Sequence, residues 1–340
     1  MKAVVYDAPR SFTVTEVPTP VATPGDLLIK VIQTGVCGTD LHIHNGDFYS
    51  AFPLIPGHEV VGTVAELGEG VTGFARGERV SINPNISCGN CHQCHVGNQL
   101  MCLNLRGLGS NWPGGFAEYL AIPAAYCFSV EGLPDDTAVF TEPASCAMHG
   151  LETLAVRPGS TALVFGAGPT GLLLSQLLAR GGASKVTVAA SSRFKLDRAL
   201  ALGIDETYLM DRTDLDRSER ELLELSGGDG YDIVIDATGS AAVSERTVAL
   251  TRTGGTVMFY GVTGPDDRVS LSPYDIFRRE ITIKGSFAEI SSFPQTISAL
   301  RNGRAVTDGL ITHRFPLEEW GVALDALQND PTVHKIVMVP

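Results

Sequence analysis

The sequence predicts an α/β fold, a doubly wound parallel sheet inserted in a β-rich domain. Three observations carry it. Residues 1–150 hold short β-like runs broken by Gly, Asn and Asp, a pattern of mostly antiparallel strands. From residue 151 apolar strand-like runs alternate with helix-like runs, which requires parallel βαβ units. Residues 286–340 return to mixed character. The simplest organisation is therefore discontinuous: a nucleotide domain at 151–285 set between two parts of one β-rich domain.

The elements follow in order. Runs 2–6, 27–31, 60–64 and 79–82 are expected strands. Run 161–165 is an apolar strand, and 169–180 an apolar helix with Pro169 in its first turn, where proline is favoured. Run 185–189 is a second strand and 192–202 an amphipathic helix. Runs 231–236 and 255–260 are further buried strands.

Composition bounds the function. A chain of 340 residues exceeds one ordinary core and suits two domains. Its 44% hydrophobic and 19% charged residues describe a soluble globular protein. A net charge of −13 argues against nucleic acid, which needs a basic face, and against an anionic membrane. No apolar run has the length of a membrane span, and no signal-peptide core precedes the first strand. Seven cysteines, four of them in a reduced metal cluster, fit a reducing compartment, so the cytoplasm is expected.

That cluster is Cys88, Cys91, Cys94 and Cys102, spaced C-x2-C-x2-C-x7-C. Four thiolates so close in sequence fill the tetrahedron of one zinc, the mark of a structural site. An iron–sulfur run would have a final gap of three residues and then proline; here the gap is seven and Leu103 follows. His92 and His95 read as loop histidines.

Gly166-Ala167-Gly168-Pro169-Thr170-Gly171 fits G-x-G-x-x-G in the required context, after a strand and opening a helix. The glycines admit a pyrophosphate to the helix N-terminus. Gly166, Gly168, Pro169, Thr170 and Gly171 are thus cofactor candidates, with Thr238 beyond the later strand. A site for NAD usually carries Asp or Glu about 20 residues on, to hold the ribose diol. Here that place holds Ala190, followed by Ser191, Ser192 and Arg193. Two hydroxyls and a guanidinium suit a 2′-phosphate, so NADP rather than NAD is expected.

Cys37, His58, Glu59 and Glu142 form a second candidate ligand set. A thiolate, an imidazole and a carboxylate leave zinc an open position, as catalysis requires. Over nearly its full length the chain resembles the zinc-dependent medium-chain dehydrogenases/reductases. The resemblance rests on Cys37-Gly38-Thr39-Asp40, Gly57-His58-Glu59 with Gly62 and Gly68, the four-cysteine lobe and Gly166 to Gly171. Glu142 in Thr-Glu-Pro and the segment from Leu310 to Phe315 are similar to the polyol (sorbitol, xylitol, arabinitol) branch.

The resemblance implies a GroES-like catalytic domain and a Rossmann cofactor domain with the active site between them. It implies a catalytic zinc on Cys37, His58 and either Glu59 or Glu142, hence two zinc ions per chain. Asp40 would orient His58, Thr39 would take the substrate's hydroxyl proton, and His42 would relay it to solvent. The implied reaction is reversible hydride transfer between NADP and a secondary alcohol of a polyol, by a homodimer or homotetramer. The alternatives are an L-threonine 3-dehydrogenase-like enzyme, a general secondary alcohol dehydrogenase and a non-catalytic NADP-binding protein. Two departures bear on the substrate: Ile43 stands where polyol enzymes often have Tyr, and Ala288 where many have a substrate-binding arginine.

Overall fold

The computed structural model describes residues 1–340. The chain divides into two compact units. The first comprises Met1–Ser145, Glu289–Asn302 and Thr307–Pro340; the second comprises Cys146–Ala288 and Gly303–Val306. No helix is long and apolar enough to cross a membrane.

The first unit is built on a seven-stranded sheet. Its order is Ile311–Pro316, Lys335–Val339, Asp26–Val36, Glu59–Leu67, Arg79–Ile82 and Cys127–Ser129, with Tyr119–Pro123 also pairing Asp26–Val36. Every pairing is antiparallel except that of Ile311–Pro316 with Lys335–Val339. The central strand alternates little, because both of its faces are covered: Leu27, Ile29, Val31 and Val60 feed one apolar cluster, Val36 and Ile336 another. In the second cluster Phe116 and Trp320 pack at a tilt with ring centroids 4.7 Å apart. The indole N–H of Trp320 reaches Tyr6 Oη at 2.8 Å, which satisfies its one donor inside the core.

The second unit is a six-stranded, wholly parallel sheet. Its order is Glu206–Leu209, Lys185–Ala190, Thr161–Phe165, Tyr231–Asp236, Thr251–Phe259 and Thr282–Gly285. The order reverses between Thr161–Phe165 and Tyr231–Asp236, which opens a crevice at their carboxyl ends. The helix Pro169–Arg180 buries Leu172, Leu173, Leu174, Leu177 and Leu178, each contributing about 1.5–3 kcal/mol relative to an exposed side chain. That burial fixes the helix N-terminus at the crevice. The Rossmann doubly wound sheet inserted in a GroES-like β-rich domain is the fold observed.

Candidate functional site

The central strand Asp26–Val36 of the first unit ends against Cys37, which caps the helix Gly38–Asn45. Asp40 accepts a hydrogen bond from the Cys37 backbone N–H at 2.9 Å, so the turn that presents the thiol is closed by its own helix. The next strand, Glu59–Leu67, starts directly after His58. One ligand atom from each of Cys37, His58 and Glu59 lies within 4.8 Å of the others. A thiol, an imidazole and a carboxylate converging so closely fit a zinc ion with one position left open. Glu142, on the helix Thr141–Leu154, is outside that tight group, but its charge is felt by His58 and Lys335.

Burial alone would lower the pKa of His58, but Cys37 bonds to it, and Asp40, Cys37 and Glu142 raise it well above the usual imidazole value. Asp40 was expected to orient His58 by a ring N–H bond. Its Oδ1 instead stands 3.8 Å from His58 Nδ1, an ion-pair separation longer than a hydrogen bond, and has no hydrogen-bond partner. Burial, foremost, raises the Asp40 carboxyl pKa. Thr39 Oγ1 lies 3.7 Å from Cys37 Sγ. His42, half-buried, faces Asp47 Oδ1 with Nδ1 at 3.0 Å. Ile43, noted in the sequence as a departure from the tyrosine frequent in polyol enzymes, is fully buried in the apolar core.

Two side chains that sequence reasoning missed complete the surroundings. Lys335 donates to both carboxylate oxygens of Glu59 at 2.7 Å and to the Val36 carbonyl at 3.1 Å. Glu289 is fully buried, and its Oε2 accepts from Asn83 at 3.3 Å and Ser292 at 3.4 Å. Burial, then the charge of Glu142, pushes its pKa up to about 8. No local spacing signals either residue.

The four cysteines of the lobe also converge within 4.8 Å. Thiolates about 2.3 Å from zinc stand about 3.8 Å apart in a tetrahedron. Cys91 Sγ lies 3.5 Å from Cys94 Sγ and 3.9 Å from Cys102 Sγ. Backbone N–H groups point at the sulfurs: those of Cys88 and Asn104 reach Cys102 Sγ at 3.2 and 3.4 Å. The backbone at Asn90 holds the Cys88 thiol down to about 6. Burial raises the Cys94 pKa to about 11, so the fit to zinc rests on the tetrahedral spacing of the four sulfurs and on the lowered pKa values of Cys88 and Cys91. His92 and His95 are exposed on the short helix His92–His95 and outside the cluster.

In the second unit the turn after Thr161–Phe165 carries the glycine motif. Gly166 has φ +108°, and a Cβ there would press on the Ala237 carbonyl at 3.0 Å. A Cβ on Gly171 would lie 2.3 Å from the Gly166 carbonyl. A Cβ on Gly168 would meet nothing within 4 Å, so the open space lies where a pyrophosphate would approach. Gly168 caps the helix that begins with Pro169 and Thr170. Thr238 flanks the turn, its Cγ2 3.3 Å from the Gly166 Cβ position, and donates to Asp236 Oδ1 at 2.6 Å. The strand Lys185–Ala190 ends without an acid; Ser191 and Arg193 are exposed, and Ser192 caps the helix Arg193–Ala201. These residues fit a dinucleotide.

Comparison with known proteins agrees with this geometry. Residues 23–135 match the family model of the alcohol dehydrogenase GroES-like domain, and residues 169–302 that of the zinc-binding dehydrogenases. D-arabinitol dehydrogenase 1 of Uromyces fabae is 41% identical over 330 residues, covering 97% of this chain and 94% of its own. D-altritol 5-dehydrogenase of Agrobacterium fabrum is 35% identical over 343 residues, covering 99% and 98%. A Sinorhizobium meliloti protein described as a zinc-binding dehydrogenase, solved bound to NADP, superposes with a TM-score of 0.92 at 33% identity, covering 100% and 99%.

Proposed function

The chain belongs to the zinc-dependent medium-chain dehydrogenases/reductases, in their polyol dehydrogenase branch, and from that membership we propose that it binds two zinc ions and prefers NADP. It is a zinc-dependent oxidoreductase of polyols, interconverting a secondary alcohol and a ketone. The observation that carries the reading is the convergence of Cys37, His58 and Glu59 beside Thr39.

Cys37, His58 and one of Glu59 and Glu142 would hold the catalytic zinc, and Cys88, Cys91, Cys94 and Cys102 the structural one. The catalytic metal supplies a Lewis acid that makes the substrate hydroxyl acidic near neutral pH. Bound NADP in its oxidised form would supply the hydride acceptor, so that loss of the O–H proton and of the carbon-bound hydride turns the secondary alcohol into a ketone. Thr39 Oγ1 takes the proton and His42 passes it to solvent. The contact of His42 Nδ1 with Asp47 supports that role, since it fixes the ring and leaves Nε2 to exchange protons. Gly166, Gly168, Pro169, Thr170, Gly171 and Thr238 would hold the pyrophosphate side of the cofactor, and Ser191, Ser192 and Arg193 its 2′-phosphate.

We assign catalysis to the unit that begins at Met1 and cofactor binding to the unit that begins at Cys146. No cysteine is paired in a disulfide, which supports a cytoplasmic location. A homodimer or homotetramer is supported by exposed Tyr274 and Phe277 beside the exposed edge strand Thr282–Gly285.

An L-threonine 3-dehydrogenase-like activity is the weaker reading, because both relatives described above carry sugar-alcohol names. The test is a spectrophotometric screen of sugar alcohols, simple secondary alcohols and L-threonine with NAD and NADP. Turnover of sugar alcohols with NADP is expected. Turnover of L-threonine alone, or equal efficiency with both cofactors, would overturn the corresponding part.

A further inference from the structure

The strand Glu206–Leu209 pairs in parallel with Lys185–Ala190, Leu209 opposite Ala190, and the Met210 N–H reaches the Ala190 carbonyl at 2.9 Å. Residues 211–213 are thereby carried to the same end of the sheet as Ser191. An open cleft of about 540 Å³ lies between the two loops, lined by Ser191, Asp211, Arg212, Thr213 and Arg217.

The two guanidiniums of that cleft differ. Arg217 is committed to acids, to Asp211 at 3.4 Å and Glu221 at 3.6 Å. Asp211 is in turn occupied by the Thr213 N–H at 2.9 Å and hydroxyl at 2.6 Å. Arg212 is exposed and joined to no acid. Its charge is felt by Lys195, whose pKa is lowered by burial and then by Arg212. The cleft thus offers the Ser191 hydroxyl and a guanidinium without a counter-anion, while the local acid is already engaged.

We propose that Arg212, from the loop after the neighbouring strand, is a second specificity determinant that grips the 2′-phosphate of NADP opposite Ser191. The inference rests on the NADP preference proposed above and adds a residue far from the glycine motif. The cleft makes the grip two-sided: the Ser191 hydroxyl from one loop, a guanidinium from the next. A guanidinium suits a phosphate because its planar fork donates two parallel bonds.

The test is calorimetric binding of adenosine 2′,5′-bisphosphate and of 5′-ADP to the intact enzyme, free of any turnover. Arg212→Ala should weaken the 2′-phosphorylated ligand about tenfold to a hundredfold and leave 5′-ADP unchanged. Arg212→Lys should recover part of the loss, and Arg217→Ala should cost less than Arg212→Ala. If the unmutated enzyme favours the 2′-phosphorylated ligand and Arg212→Ala retains that preference, Arg212 has no such role and the NADP reading stands. If the unmutated enzyme shows no preference, both fail.

Discussion

Lys335 Nζ lies 2.7 Å from each carboxylate oxygen of Glu59, and both side chains are buried. The sheet makes the pair. Gly35 of the central strand is opposite Glu59 on one side and Val337 on the other. Gly35 has no side chain to stand between them: a Cβ there would collide with Glu59 Oε2 at 1.9 Å. Burial opposes the ammonium charge of Lys335, but Glu59 and then Cys37 outweigh it and raise its pKa. A candidate metal ligand is thus already neutralised by a lysine on a strand from the other end of the chain.

The first prediction follows. Removing one partner of a buried ion pair leaves an uncompensated charge and typically costs about 3–5 kcal/mol. Lys335→Met should lose stability of that order after chelation of the metal. With zinc present the loss should be smaller, because the metal would supply positive charge beside Glu59. Urea unfolding of both forms, with and without zinc, measures the difference. Equal losses would mean that Glu59 and the metal do not communicate.

Glu289 gives a prediction in pH. Its carboxyl is raised from the usual 4.5 to about 8, by burial first and then by Glu142. A group that holds its proton more tightly when folded adds stability that is full below its unfolded pKa and is lost as pH rises through the folded one. The wild-type protein should therefore lose stability relative to Glu289→Gln across the interval from 4.5 to about 8, and no further above it. Each pKa unit is about 1.4 kcal/mol, so the effect should be visible as a pH-dependent gap in Tm. A gap that stays flat with pH would show that Glu289 ionises normally.

The sequence was most legible where function is local. The strand Thr161–Phe165, the helix Pro169–Arg180 and the strand Tyr231–Asp236 are bounded by the glycines and prolines that signalled them. The cysteine lobe is readable because its four donors lie within one loop. The strand Glu206–Leu209 and the helix Leu215–Leu225 went unnoticed: the first is short and half-exposed, the second polar on most of its surface. Lys335 reaches Glu59 across 276 positions, and Asn83 reaches Glu289 across 206. Such pairs are set by strand order, which residue spacing does not encode. Ile43, where related enzymes often carry tyrosine, is packed in the core, a placement that residue spacing does not encode either.

His42 supplies the third prediction. His42→Ala should slow turnover near neutral pH, with recovery as pH rises, because solvent base can replace a relay. Asp47→Asn, which weakens the contact at Nδ1, should shift the profile without abolishing turnover. An unchanged pH–rate profile in His42→Ala would leave the histidine as a surface residue bonded to Asp47.

The last prediction separates the two metal sites. Cys37 belongs to a three-donor set, whereas Cys102 is one of four sulfurs that close a tetrahedron. A catalytic ligand can be lost without loss of fold, but a closed thiolate site contributes folding free energy. Elemental analysis of the purified protein should give two zinc ions per chain. Cys37→Ser should abolish turnover, keep the circular dichroism spectrum and retain the zinc of the lobe. Cys102→Ser should instead lower the unfolding temperature, and excess zinc should recover little of it, since serine offers a hard oxygen in place of a soft thiolate. One zinc per chain in the unmutated protein would remove one of the two sites, and the variant that leaves the zinc content unchanged would identify which.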